Sequence, residues 1–346
     1  MCTNTTRVEI ALASDDKYFQ GLLVTAVSMV EHASPEADLS FNILDGGISH
    51  DNFSFFEKRL ADLNPLVRIK RIAVDQLSLR QFPQYWSSKM TYARLLLPIV
   101  LPDIDFVVYS DVDFIWLADV SLLWQQRDEE VAILAPHDSM EETLSMEEKW
   151  FADNHVTFNR EQYFCAGLAI LNLRRFRQES YMMKVIEFLR VHEDLKFADQ
   201  TALNAILLHD VKLLDKKWHT LTACAQNNSL LQPTALHFAG DAPWKISKRE
   251  DLISDTAMLW FQYYAHVIGS STWKCLISKF TLSQILFKRS FFLIFASSIV
   301  ARQCLYYMFR LLKREHSSRF FAVRLRRVRI RQVRFDSTLC NLNLIS

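Results

Sequence analysis

The pair of residues most able to do metal chemistry in this sequence is Asp111 and Asp113. The pair directly follows an apolar run, 106–110, and alternate residues of an extended segment project to the same side. Two carboxylates placed in this way can ligate one hard divalent cation, which can in turn bind a diphosphate. The spacing alone is weak, because 23 aspartates in 346 residues give about 1.5 such triplets by chance. A second triplet, 103–105, precedes the apolar run, and we expect a solvated loop there.

His237 and Gly240 follow the last apolar run of the strand-rich region, in the sequence His-Phe-Ala-Gly. A neutral imidazole can supply a third ligand to a transition metal, and a glycine lets the backbone approach a phosphate. A lone histidine after a strand is more often a core or capped residue. From the residues alone, both interpretations stay open.

The segment 14–18, Ser-Asp-Asp-Lys-Tyr, follows the first predicted strand and opens the first predicted helix. Asp15 is either the cap of that helix or a polar contact to a bound nucleotide, whose base would face the Tyr18 ring.

Four further polar residues have simple structural interpretations. Asp199 and Gln200 open a predicted helix, where capping is the default role. Arg94 lies in a predicted helix and is expected, from its type alone, to be a surface charge. Asp138 is a polar residue at the end of a strand.

Short apolar runs alternate with helix-period stretches through the first 240 residues, and these elements must position the polar groups. Continuous apolar runs are typical of strands covered on both faces. The alternation predicts an α/β fold with a mostly parallel central sheet, in which ligands bind beyond the carboxyl ends of the strands. The predicted strands are 8–14, 39–44, 67–74, 105–110, 131–135, 167–173, 211–214 and 235–238, and the predicted helices are 18–32, 52–63, 92–99, 179–192 and 199–209.

Composition excludes several common kinds of nucleotide and metal site. The chain is long enough for one large domain or two unequal ones. Its six glycines cannot form a GxGxxG or a P-loop, which excludes the usual Rossmann site and the Walker-type NTPases. Its six cysteines contain no CxxC pair, which argues against zinc ribbons and fits a reducing compartment. We expect no secretory signal, because no basic region followed by an apolar stretch opens the sequence.

Charge divides the chain into an acidic body and a basic tail. From residue 288 onward, the chain has 13 Lys and Arg and two acidic residues, a net charge of +11, and the preceding residues have a net charge of −10.

We expect one domain over 1–250 and a helical, basic and aromatic extension over 251–346. Its longest run without Asp, Glu, Lys, Arg or His, 290–301, has 12 residues, and a membrane span needs roughly 20. Apolar residues interleaved with Arg and Lys favour a helix in a membrane interface over nucleic-acid binding; packing of the extension on the first domain is the alternative.

Taken in order, the segments around these residues resemble glycosyltransferase family 8, most of all its bacterial lipopolysaccharide and lipooligosaccharide core α-galactosyl- and α-glucosyltransferases. The similarity covers about residues 7–245, and the stretch from residue 260 onward is similar to the C-terminal extension of that branch. The similar blocks are VEIALASDDKYFQGLLVTAVSMVEH, FNILDGGIS, MTYARLLLP, VVYSDVDFIWLADVSLLW, YFCAGLAILNL, ADQTALNA and HFAGDAPWK.

The resemblance implies a GT-A-type nucleotide-binding fold, a UDP-hexose donor and Mn²⁺, with Mg²⁺ as an alternative cation. It implies that Asp111, Asp113 and His237 hold the metal on the UDP diphosphate. The other donor-site residues that it implies are Ala13, Asp15 and Tyr18 at the uridine, Gly240 and Lys245 at the phosphates, Val112 between the metal ligands, and Arg94, Ala166 and Gly167 at the hexose. Asp138, Asp199 and Gln200 are the implied catalytic residues beside the hexose.

The chain departs from the family pattern in four blocks. Lys17 and Cys165 stand where the family often has Asn, and Ala242 stands where a phosphate-contacting Lys usually precedes Pro-Trp. Thr201 replaces a common acidic residue, so a carboxylate nucleophile is absent at that position. The neighbouring Gln200 is an amide and a poor nucleophile, so we expect a same-face displacement and not a covalent intermediate.

The reaction that the resemblance implies moves a hexose, galactose favoured, from UDP-hexose to a lipopolysaccharide or lipooligosaccharide core sugar, with retention and an α-glycosidic product. An α-glucosyltransferase of the same pathway and a non-catalytic sugar-nucleotide-binding relative are the alternatives. The expected partners are the UDP-sugar donor, a lipid-linked core oligosaccharide and an anionic membrane surface, with no nucleic acid. The expected location is cytoplasmic, peripheral on the inner face of the bacterial inner membrane.

Overall fold

A computed structural model describes residues 7–74, 82, 89–192, 195–222, 233–240, 242–245 and 255–270. The chain divides into two compact units, Met1–Gln284 and Ile285–Ser346, and all described residues belong to the first. Of the predicted basic extension, only 255–270 lies within the described residues. The predicted domain boundary at residue 250 stays a prediction.

The strands of the first unit, in chain order, are β1 (Val8–Ser14), β2 (Leu39–Asp45), β3 (Arg68–Ala73), β4 (Phe106–Ser110), β5 (Phe114–Trp116), β6 (Ile133–Pro136), β7 (Leu168–Asn172), β8 (Val211–Leu214), β9 (Thr220–Leu221) and β10 (Ala235–His237). They form a seven-stranded sheet of order β3-β2-β1-β4-β7-β6-β8 and a three-stranded sheet of order β5-β10-β9. In the large sheet, β7 is antiparallel to β4 and β6, and the other neighbours are parallel. The predicted α/β fold with a mostly parallel central sheet is confirmed.

The α-helices of the described residues are α1 (Phe19–His32), α2 (His50–Leu63), α3 (Leu97–Val100), α4 (Val120–Trp124), α5 (Glu141–Asp153), α6 (Leu173–Gln178), α7 (Tyr181–Val191), α8 (Asp199–Ile206) and α9 (Asp255–Val267). Short 3-10 helices lie at Asp16–Tyr18, Met90–Leu96, Arg160–Gln162, Lys216–Trp218 and Pro243–Lys245.

The predicted strands are all present, each within two residues of its predicted bounds. The hydrophobic pattern of the sequence does not predict β5 and β9, because strands of two or three residues are too short to show an alternation of apolar and polar residues. The predicted helix 92–99 is instead a 3-10 helix followed by α3. Pro98, in the first turn of α3, explains the difference, because it has no N–H to continue an α-helical ladder from the preceding residues.

Helix α1 is buried along most of its length and fixes the position of β5. Thr25 Oγ1 donates to the carbonyl oxygen of Phe114 at 2.8 Å, and Ser28 Oγ accepts from the backbone N–H of Trp116 at 2.9 Å. These bonds satisfy backbone groups of β5 that are buried under the helix. The helix therefore holds the strand that directly follows Asp113.

Helix α9 packs on the same unit. The ring centroids of Trp260 and Trp244 are 5.3 Å apart. The Tyr263 hydroxyl donates to Glu31, and His266 Nε2 lies 2.8 Å from the same carboxylate. None of the described helices is both long and apolar enough to cross a membrane.

Candidate active site

Asp111, Asp113 and His237 come together because β5 pairs with β10. Asp111 and Asp113 lie in the short link between β4 and β5, at the carboxyl end of β4. Phe114 in β5 is paired with His237 in β10, and this register places Asp113 Oδ1 3.3 Å from His237 Nε2. The ligand atoms of the three side chains all lie within 4.8 Å of one another. Strand pairing thus converts a local motif into a three-ligand cluster.

The space between these ligands fits a divalent cation. Asp113 Oδ1 is buried and lies 3.3 Å from His237 Nε2 without an aligned hydrogen bond to any described residue, so a cation could bind this oxygen without breaking a hydrogen bond. A Cβ on Gly167 would lie 3.0 Å from Asp111 Oδ2 and 3.1 Å from His237 Cε1. A side chain at residue 167 would therefore press on two of the three ligands. Two carboxylates and one imidazole suit Mn²⁺, and the carboxylates also suit Mg²⁺.

The second aspartate triplet does not contribute to this cluster. Asp103 is exposed, as predicted, and Asp105 pairs with Arg177 at 3.4 Å. Position relative to the strand therefore separates the two triplets.

Arg94 is buried at the centre of the site and does not lie on a helix surface. Its guanidinium forms ion pairs with Asp111 Oδ1 and Asp199 Oδ2, each at 2.8 Å, and it donates to the carbonyl oxygen of Ala166. Burial lowers the pKa of Arg94, but the charges of Asp111 and Asp199 outweigh burial and raise that pKa above its ordinary value. A permanent cation therefore orients both carboxylates.

Asp199 and Gln200 begin α8 from a strained backbone. Ala198, directly before them, has φ 49° and ψ −117°, a conformation that residues other than glycine rarely adopt. The Asp199 carboxylate accepts from Thr91 Oγ1 at 2.9 Å and pairs with Arg94. Its partners are thus in the site, and a simple capping role does not describe it.

The Gln200 amide has a fixed orientation. Its Oε1 accepts from the backbone N–H of Ala166 at 3.0 Å, and its Nε2 donates to Asp138 Oδ2 at 2.9 Å. Asp138 Oδ1 in turn accepts from the backbone N–H of Met140 at 3.0 Å. Gln200 and Asp138 therefore form one partly buried polar network with the backbone before β7.

Sequence reasoning missed Glu147, a carboxylate behind this network. Glu147 lies on α5 with 0% exposure, and the Tyr163 hydroxyl donates to its Oε2 at 2.7 Å. Burial raises the pKa of Glu147 to about 7, against the opposing hydrogen bond from Tyr163. Gln200 Nε2 lies 3.4 Å from the Tyr163 hydroxyl, so Glu147 is linked to the site. Its sequence signal is a carboxylate on the apolar face of α5, at helical spacing from Leu144, Trp150 and Phe151.

Sequence reasoning also missed His219. Its Nε2 lies 2.7 Å from His237 Nδ1, on the ring edge opposite Asp113. Burial, followed by the charge of His237, lowers the pKa of His219 to about 3. The Phe114 ring stacks on His237 with centroids 4.2 Å apart. The metal-ligating candidate is therefore held from two sides.

The predicted uridine contacts lie at the end of β1, the strand beside β4. Ala13 is buried in β1. Asp15 Oδ1 accepts from the backbone N–H groups of Lys17 and Tyr18 at 3.0 and 3.1 Å, and so caps the 3-10 helix Asp16–Tyr18 that leads into α1; α1 itself has no side-chain cap. The Tyr18 ring meets Trp244 edge to face, with centroids 6.0 Å apart. Ala13 therefore lies in the strand beside β4, and Asp15 and Tyr18 directly follow that strand.

The remaining predicted donor contacts differ in how they are placed. Val112 is buried, and its carbonyl oxygen lies so close to α1 that a Cβ on Gly21 would meet it at 2.5 Å. Gly240 is exposed with φ 93°, and a Cβ there would meet no described atom within 4 Å. Lys245 ends the 3-10 helix Pro243–Lys245, and its side chain lies outside the described part of the chain.

Two known proteins are similar to this chain in sequence. The chain is 27% identical over 289 residues to general stress protein A of Bacillus subtilis, covering 77% of this chain and 94% of that protein. It is 23% identical over 277 residues to a galacturonosyltransferase-like protein of Arabidopsis thaliana, covering 74% and 78%.

Among solved structures, the fold is similar to that of the galactosyltransferase LgtC in complex with donor and acceptor sugar analogues. The TM-score is 0.64 at 23% identity, over 75% of this chain and 96% of that one. It is also similar to the glycosyltransferase GlyE of Streptococcus pneumoniae, with a TM-score of 0.55 at 18% identity, over 76% and 62%. Residues 9–247 match the sequence family described as Glycosyl transferase family 8. This match covers more than half of the sequence, and the chain therefore belongs to glycosyl transferase family 8.

Proposed function

We propose that this protein is a retaining hexosyltransferase that moves a hexose, galactose favoured, from UDP-hexose to a core sugar of lipopolysaccharide or lipooligosaccharide. The observation that carries the proposal is the cluster of Asp111, Asp113 and His237 around a space that a Gly167 Cβ would fill. Family membership supports glycosyl transfer. The likeness to a galactosyltransferase fold favours galactose among the donors.

Asp111, Asp113 and His237 would hold the divalent cation, Mn²⁺ or Mg²⁺. When bound, the cation neutralises the charge that develops on the leaving diphosphate. Ala13, Asp15 and Tyr18 line the uridine in this proposal, and Gly240 and Lys245 contact the phosphates.

The hexose would lie against the network of Arg94, Asp138, Asp199 and Gln200, beside Ala166 and Gly167. Both polar atoms of the Gln200 amide already have partners, which suits a group that stabilises charge and not a nucleophile. The acceptor hydroxyl oxygen bonds to the anomeric carbon on the face from which UDP departs. The electron pair of the broken C–O bond goes to the diphosphate, and the acceptor proton passes to a leaving phosphate oxygen. Retention then follows without a covalent enzyme intermediate.

The basic extension would hold the enzyme at the cytoplasmic face of an anionic membrane, next to a lipid-linked core oligosaccharide. Each Lys or Arg near such a surface contributes on the order of 1 kcal/mol, and the segment from residue 288 carries +11. A chain truncated at Lys279 should lose binding to anionic vesicles. If the truncated chain still sediments with these vesicles, the membrane part of the proposal is wrong.

Donor profiling tests the activity. UDP-galactose, UDP-glucose, UDP-N-acetylglucosamine and UDP-N-acetylgalactosamine are each supplied with Mn²⁺, and UDP release is followed. Preference for UDP-galactose supports the proposal. Preference for UDP-glucose indicates the α-glucosyltransferase alternative. Binding of a UDP-sugar without any release of UDP indicates a non-catalytic relative.

A further inference from the structure

Cys165, His219 and His237 form a second cluster of metal-ligating atoms, behind the first. Their ligand atoms all lie within 4.8 Å of one another, and all three side chains are buried. They come from three different segments: Cys165 lies just before β7, His219 just before β9, and His237 at the end of β10. The tertiary structure brings a thiol and two imidazoles to one point.

This ligand set differs in chemistry from the carboxylate pair. A thiol with two imidazoles favours Zn²⁺, Co²⁺ or Cd²⁺, whereas two carboxylates favour Mg²⁺ and Mn²⁺. We propose that Cys165, His219 and His237 bind a thiophilic divalent cation at a second site, which shares His237 with the carboxylate site. When the cation binds, the thiol proton leaves to solvent, and the proton between the two imidazoles moves to the other nitrogen of the ring that carries it, so both rings stay neutral.

The geometry needs only small side-chain movements to close around an ion. Metal–ligand distances of about 2.0 to 2.3 Å in a tetrahedral site place ligand atoms roughly 3.3 to 3.8 Å apart. His219 Nε2 and His237 Nδ1 are 2.7 Å apart and must separate slightly, and atoms near the 4.8 Å limit must approach. The backbone around these side chains is anchored, because Cys165 N donates to the carbonyl oxygen of Pro136 at 2.9 Å and His237 is paired in β10.

The two sites exclude each other through His237. A neutral imidazole has one nitrogen with a free lone pair and one that carries a proton. Nε2 faces Asp113 at 3.3 Å, and Nδ1 faces His219 at 2.7 Å. An ion at one nitrogen leaves the other protonated, so occupation of the Cys165 site removes His237 from the carboxylate site. This competition rests on the proposed function of the carboxylate site, whereas the thiophilic site itself does not.

The test is a Co²⁺ titration of the metal-free full-length protein, followed by thiolate-to-cobalt charge-transfer absorption. Mn²⁺ binding is measured in parallel by electron paramagnetic resonance. Three variants are compared with the wild type: Cys165→Ser, His219→Gln and Asp113→Asn. Circular dichroism confirms that each variant is folded, and the other cysteines are kept in all of them as an internal control.

We expect one equivalent of Co²⁺ to produce the thiolate band in the wild type and in Asp113→Asn. Cys165→Ser should lose the band, and His219→Gln should weaken Co²⁺ binding by more than about tenfold, because even outer-shell partners contribute roughly 10- to 100-fold to metal affinity. Co²⁺ should displace Mn²⁺ from the wild type at lower concentrations than from Cys165→Ser, because in that variant Co²⁺ acts only by direct competition at the carboxylate site. A thiolate band of full intensity in Cys165→Ser overturns the proposal. If the metal-free wild type binds no Mn²⁺ before Co²⁺ is added, while Co²⁺ still produces the thiolate band, the proposed function is contradicted and this inference stands.

Discussion

The Tyr163 hydroxyl donates a 2.7 Å hydrogen bond to Glu147 Oε2, and both side chains are buried. The same hydroxyl lies 3.4 Å from Gln200 Nε2. A chain of polar contacts therefore runs from a carboxylate deep in α5 to the amide proposed to face the hexose. This chain explains why a carboxylate is retained on an apolar helix face, where an unpaired charge would be costly.

Replacement of Tyr163 by Phe should lower kcat by about tenfold, because Gln200 loses a contact that holds it at the reacting centre. The KM for UDP-hexose should change by less than about threefold, because the change affects the transition state more than donor binding. It should also destabilise the protein by about 1–3 kcal/mol, since Glu147 loses its donor. Steady-state kinetics and urea unfolding measure the two effects. Phe158→Leu, a nearby change without a hydroxyl, is the matched control. A KM increase with unchanged kcat in Tyr163→Phe would contradict a positioning role.

Glu147 should make folding stability fall between about pH 4.5 and pH 7. Burial raises the pKa of Glu147 to about 7, so the folded protein keeps a proton that the unfolded chain has already lost in this range. Stability therefore decreases as the pH rises, by about 3 kcal/mol in total, and is constant above the folded pKa.

Glu147→Gln removes this titration, so the variant should not lose stability as the pH rises. Its free energy of unfolding relative to the wild type should therefore be higher at about pH 8 than at about pH 5. Urea unfolding at the two pH values measures the difference. Glu142→Gln, an exposed position on the same helix, should show no such change. A pH-independent difference between Glu147→Gln and the wild type would show that Glu147 is not buried as the structure has it.

Asp111→Asn should lower the rate of sugar transfer at least about 100-fold, because the variant loses both a metal ligand and one ion-pair partner of Arg94. Arg94 keeps its ion pair with Asp199 at 2.8 Å, so the variant should remain folded. UDP release with Mn²⁺ and a thermal melt check the two expectations. Asp103→Asn, in the exposed triplet, is the control and should behave as the wild type. Near-normal turnover of Asp111→Asn with added Mn²⁺ would refute the metal assignment.

Gly167→Ala should weaken Mn²⁺ binding by more than about tenfold, because the new Cβ would enter the space between Asp111 and His237. Gly47→Ala is the control, with an effect expected on stability and none on Mn²⁺ binding. Gly47 has φ 110° and open space around it, so alanine there should cost about 1 kcal/mol of stability without a change in Mn²⁺ affinity. Isothermal titration calorimetry and thermal melts separate the two outcomes. Unchanged Mn²⁺ affinity in Gly167→Ala would place the ion elsewhere.

Local pattern was sufficient for most of the large sheet. Its five inner strands are largely apolar and buried, whereas the edge strands β3 and β8 have few or no buried residues. The local pattern did not predict that the helix 92–99 changes from 3-10 to α-helix near Pro98, nor did it predict the short strand β5. Their conformation depends on neighbours such as Thr25 and Ser28, which bind the β5 backbone from another element.

The sequence by itself determined the α/β class and the Asp111–Asp113 pair at the end of a strand, because both depend on residues that are neighbours along the chain. Only the tertiary structure decided that Arg94 is buried, that His237 stands beside Asp113, and that Glu147 and His219 lie behind the site. Those contacts join segments far apart in the chain. They are fixed by strand register and by the packing of buried charges against their partners, which no local pattern of residue types records.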